Sequence, residues 1–64
     1  MSDSLNIDFE GKSYRVSYSV EGGIITVRTM FDSKSTQVGG SPPQLLAEIM
    51  GEELLTEAKR KGLL

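Results

Sequence analysis

Neither cysteine nor histidine occurs among the 64 residues of this chain. Without cysteine there is no disulfide framework, no thiolate nucleophile and no zinc–thiolate site, and without histidine the usual alternative ligand and the usual base at neutral pH are missing as well. Acid–base chemistry would have to come from a carboxylate or lysine shifted by burial. A glycosidase-like pair drawn from Asp8, Glu10, Glu21 or Asp32 needs a deep cleft, which one sheet and one helix do not readily build. The serines fall at strand and turn positions with no base beside any of them, so the sequence reads as non-catalytic, with no metal site and no cofactor.

Other absences narrow the reading. No apolar run approaches the 18 or so residues of a membrane span, and Met1-Ser2-Asp3-Ser4 lacks the basic and apolar regions of a secretory signal. The expectation is a cytoplasmic protein with no membrane partner. There is no excess of positive charge either. Seven Lys and Arg against nine Asp and Glu give a net charge of -2 and a pI near 4.9, so no general field gathers nucleic acid. No motif points to a known family. The length bounds one small domain, 1–64, with a marginal core and residues 1–4 expected to fray. Pairing with a second copy is the expected route to further burial.

What is present is alternation. Folding Phe9 back to Tyr14 around Gly11-Lys12, and Val20 to Ile25 around Gly22-Gly23, places Leu5, Ile7, Phe9, Tyr14, Val16, Tyr18, Val20, Ile25, Val27 and Phe31 on one side of an antiparallel sheet. A one-residue slip would scatter them over both faces. All four aromatic residues then point inward, which argues against the sheet as a base-stacking platform. The predicted strands are Leu5–Glu10, Ser13–Val20 and Ile24–Phe31. After a turn at Asp32–Ser35, Thr36–Val38 forms a short fourth strand with Thr36 and Val38 inward. On the outer face this register sets Asp8 opposite Arg15 and Ser17 opposite Arg28.

Gly39-Gly40 ends the sheet. Ser41-Pro42-Pro43-Gln44 reads as an N-cap serine, two prolines where no amide donor is missed, and the glutamine of a capping box. Gly62 supplies the stop, with Lys59, Arg60 and Lys61 in the last turn, where the helix dipole favours cations, and Glu57 spaced to pair with Lys61. Between these ends the bulky apolar residues change phase. Leu45, Leu46, Ile49 and Met50 share one side, whereas Leu54, Leu55 and Ala58 centre roughly 160° away. The helix is therefore predicted either to bend or break at Gly51, or to run on with a second face left over.

The fold class is α+β: an antiparallel meander of three to four strands in order 1-2-3-4, closed on one face by the C-terminal helix. The expected core is Ile7, Phe9, Val16, Tyr18, Ile25, Val27, Leu46, Ile49 and Met50, with Tyr14 and Phe31 at its edge. Leu54, Leu55, Ala58, Leu63 and Leu64 are left as an expected partner-binding patch, suited to a homodimer or another protein. Pairing along an edge strand is a variant. The disfavoured alternative is a small nucleic-acid-associated regulator using Arg15, Arg28, Lys59, Arg60 and Lys61.

Overall fold

The computed structural model describes residues 2–64. Strands β1 (Ser2–Phe9), β2 (Lys12–Glu21), β3 (Ile24–Arg28) and β4 (Ser33–Gln37) form one antiparallel sheet in sequential order, followed by helix α1 (Pro43–Arg60). The alternation of residues sets the faces and the turns set the register. Gly22 and Gly23 both have positive φ, 58° and 77°, as a type I′ hairpin requires, and Val20 stands opposite Ile25 as predicted.

The first hairpin turns one residue earlier than predicted. Its two central residues are Glu10 (φ 52°) and Gly11 (φ 82°), so Phe9 pairs with Lys12 and Ile7 with Tyr14. Relative to the predicted register this is a slip of two, and with a period of two every side chain keeps its face. Asn6, not Asp8, therefore stands opposite Arg15. β1 also starts earlier than predicted, because Asp3 and Ser4 pair with Tyr18 and Ser17 instead of fraying.

β3 stops at Arg28, short of the predicted Phe31, because Thr29 builds a turn of its own. Its hydroxyl oxygen accepts from the amides of Phe31 and Asp32, while its backbone amide donates to the Asp32 carbonyl at 2.8 Å. Phe31 leaves the ladder yet still packs on the core. β4 begins at Ser33, inside the stretch read as a turn, and ends at Gln37, so that Val38 lies just beyond it; Thr36 faces inward as expected, opposite Ile25.

α1 is continuous through Gly51. Pro42 is its N-cap and no side chain caps it, so the Ser41–Gln44 capping box does not form. The C-terminus follows prediction: Gly62 (φ 78°) takes the left-handed conformation, and the amides of Gly62 and Leu63 donate to the carbonyls of Lys59 and Ala58. This is a Schellman closure.

The buried side of α1 differs from the expected one. Ala47, Met50, Gly51, Leu54, Leu55 and Ala58 are buried, a stripe at i, i+3, i+4, i+7, i+8 and i+11 that fits a straight helix in a sector about 140° wide. Leu54, Leu55 and Ala58 are thus core, and Ile49 is 48% exposed. Small residues decide the orientation. A Cβ placed on Gly51 would lie 2.5 Å from Ile7 Cδ1 and 3.3 Å from both Val16 Cγ atoms, so the helix backbone rests directly on β1 and β2. Val16, Ile25 and Val27 beneath it, and Leu55 on its own sheet-facing side, are completely buried, each contributing about 1.5–3 kcal/mol. Phe9, Tyr18 and Leu46, expected in the core, pack at its margin. Phe9, Tyr14 and Phe31 gather near one end of the sheet, with successive ring centroids 6.4 Å apart.

Candidate functional site

The expected partner-binding patch divides. Leu54, Leu55 and Ala58 are buried within the chain's own core, because the stripe they belong to also contains Ala47 and Gly51, whose lack of bulk lets that side reach the sheet. Leu63 and Leu64 stay exposed, at 54% and 43%. Leu63 lines a shallow cleft with Phe31, Leu54 and Ala58, the hydrophobic contact that accompanies a Schellman closure. On the far side of α1, Leu45 and Ile49 are half-exposed one turn apart, and single apolar exposures of this size are ordinary on a small protein.

The expected nucleic-acid set divides as well. Lys59 pairs with Glu10, Arg60 with Glu57 at 3.7 Å, and Lys61 with Asp32 at 4.0 Å instead of Glu57. Arg15 and Arg28 lie on the opposite, helix-free face of the sheet. The five cations do not form one surface. On the helix-free face Arg28 stands opposite Ser17, and Arg15 is two residues along from Ser17. The two arginines are therefore diagonal neighbours on one face, within reach of each other for side chains of this length. Among the described residues neither forms an ion pair. Around them run hydroxyls: Ser4 opposite Ser17, Ser19 opposite Thr26, and Thr26 Oγ1 hydrogen-bonded to Ser35 Oγ at 2.9 Å.

The two outer strands complete the candidate surfaces. The type I′ turn closes on the Phe9–Lys12 pair, so ladder bonds fall on Phe9, Ile7, Leu5 and Asp3, and the backbone groups of Ser4, Asn6 and Asp8 point away from the sheet. The Ser4 amide donates to Asp3 Oδ1 at 2.8 Å, outside the ladder as this pattern requires. Asn6 and Asp8 are left as the open amides, beside the apolar row Leu5, Ile7, Phe9 on the helix side. β4 is different: its inward positions are Lys34 and Thr36, all five residues are exposed, and Lys34 reaches across to Glu53 of α1 at 3.7 Å.

Titratable chemistry is sparse. No group of three or more Asp or Glu is arranged to hold a metal among the described residues. The phenol of Tyr18 is pushed above its ordinary range, first by desolvation and then by the carboxylate of Asp3, toward which its hydroxyl points at 3.5 Å. No helix is long and apolar enough to cross a membrane. Compared with family models, curated proteins and solved structures, the chain shows no significant similarity to any of them.

Proposed function

We propose that this chain is a non-catalytic protein-interaction module whose primary partner is a second copy of itself, joined edge to edge through β1. The supporting observation is the unguarded state of that edge. β1 is an eight-residue strand whose outward amides at Asn6 and Asp8 lack partners in the ladder, and whose inner row is apolar from Leu5 to Phe9. Such an edge is a template for another strand.

The row is also self-complementary. A two-fold axis through Ile7 sets Ile7 against Ile7, Leu5 against Phe9 and Asn6 against Asp8 of the second copy. No like charges stand directly opposite one another, the two Asp8 carboxylates being diagonal across the axis, and Asn6 and Asp8 exchange four backbone hydrogen bonds without using the Ser4 amide. The product is an eight-stranded sheet with both helices on one side, an isologous arrangement that closes on itself.

Sedimentation or light scattering from micromolar to millimolar concentration tests this. The expected mass rises from 7.0 kDa to about twice that value, as for two identical chains. Asn6→Pro removes one outward donor at an edge position that tolerates proline and should hold the folded chain monomeric. Leu5→Lys should do the same by pointing a charge into the new seam. A wild-type chain that is monomeric throughout, or a dimer indifferent to both substitutions, would overturn the proposal.

A further inference from the structure

The net charge of -2 conceals a segregation of charge between the two sides of the molecule. α1 carries Glu48, Glu52, Glu53 and Glu57 against Lys59 and Arg60, which accounts for the whole excess; the remainder of the chain is neutral, with five acidic and five basic residues. Within that remainder the open sheet face has a central band without a carboxylate. Its charged members are Arg15 and Arg28, and the acidic residues of the face, Asp8 and Glu21, stand towards opposite ends, facing Ser13 and Ile24, with Asp8 diagonal to Arg15 but not in an ion pair with it.

Two guanidinium groups on diagonal positions repel each other unless an anion lies between them. Among the described residues four of the five other cations have one: Lys34, Lys59, Arg60 and Lys61 each have a carboxylate within 4.0 Å, and Lys12, opposite Phe9 at the first hairpin, does not. Arg15 and Arg28 have none among the described residues. Between and beside them are Ser17, Ser19 and Thr26, which with Arg28 and the margin of Tyr18 line a shallow depression, and Ser4 and Ser17 line another with Arg15 and, at its border, Asp3. Guanidinium forks flanked by hydroxyl donors match phosphate oxygens, and the diagonal placement of the two arginines on one face lets side chains of this length engage neighbouring phosphates of a single strand.

We infer that this band binds the phosphodiester backbone of nucleic acid, with Arg15 and Arg28 on two phosphates and the serine and threonine hydroxyls beside them. The flat face carries no aromatic residue to stack on a base, so recognition is of backbone and not of sequence. The site is independent of β1 pairing, because it uses side chains perpendicular to the sheet and leaves the edge amides untouched.

The test is an amide-shift titration of the full chain with a 12-nucleotide single strand and a 12-base-pair duplex at about 20 mM salt. Inorganic phosphate and phosphatidylserine vesicles serve as comparison anions. The expected result is saturable shifts confined to Ser4, Arg15, Ser17, Thr26 and Arg28, with affinity falling at least about 25-fold between 20 and 200 mM salt, as two phosphate contacts imply. Arg15→Gln with Arg28→Gln should abolish the shifts while leaving the remaining spectrum unchanged. The triple change Lys59→Gln, Arg60→Gln, Lys61→Gln should leave them intact. Shifts centred on the helix end, binding that survives the double arginine substitution, no binding to either oligonucleotide, or tighter binding to vesicles would each overturn the inference.

Discussion

β1 and β4 border the same sheet, yet they face solvent on different terms. β4 is five residues long, turns a lysine towards the helix side and ties that lysine to Glu53 across the gap. β1 is eight residues long, turns Leu5, Ile7 and Phe9 to the same side, and has a charged inward residue only at Asp3 near its start. An inward lysine is a standard obstacle to edge-to-edge pairing, since a second strand laid against it would bury the charge. The difference follows from where α1 rests. Gly51 brings the helix backbone down on Ile7 and Val16, so apolar residues are required under it on β1 and β2, while β4 lies beyond its cover and can be wholly polar.

The largest effect should come from disturbing that contact. Gly51→Leu pushes a side chain into the space held by Ile7 and Val16 and should destabilise the fold by about 2–4 kcal/mol, measured by urea denaturation. Gly51→Ala is a finer probe. Ile7 Cδ1 is the free end of a side chain on an edge strand and can swing away, and alanine gains about 1 kcal/mol of helix propensity, so a net change within about 1 kcal/mol is expected.

Removing the guard from β4 should equalise the two edges. Lys34→Ile loses one exposed ion pair, for which a stability change of less than about 1 kcal/mol is expected. The chain should nevertheless acquire concentration-dependent association beyond a dimer, seen as a continuing rise in scattering, because each copy then has two open edges.

The smallest effect concerns Tyr18 beside the start of β1. Its phenol is raised in the folded chain, so folding favours the neutral form. That contribution is complete below the ordinary phenol pKa of about 10 and is lost as pH rises through the higher folded value. Ultraviolet titration should place the transition above that of the unfolded chain, and Asp3→Asn should return part of the shift, leaving the desolvation component.

How far the sequence announces this arrangement can be seen in three elements. The Gly22-Gly23 hairpin was legible in site and register, because two glycines suit either primed turn, and the positive φ of both selects type I′. The first hairpin was legible in face but not in register: alternation cannot distinguish slips of two, and the turn places Glu10 at positive φ, where glycine or asparagine would have been expected. The helix was legible in extent and ending but not in orientation. Counting bulky residues weights Leu45 and Ile49 and treats Gly51 as an interruption, whereas close packing on the sheet selects the side where alanine and glycine permit approach. The same error placed Leu54, Leu55 and Ala58 on a surface. The open edge of β1 was harder to see, since it depends on which backbone groups the turn leaves unpaired, and that follows from the register.

Amide hydrogen exchange at low and high protein concentration bears most directly on the contrast between the edges. If β1 pairs with a second copy, the amides of Asn6 and Asp8 should become protected as concentration rises, while those of Ser35 and Gln37 on the outer side of β4 continue to exchange rapidly. Fast, concentration-independent exchange at Asn6 and Asp8 up to millimolar protein, or protection that appears on β4 instead, would contradict the account.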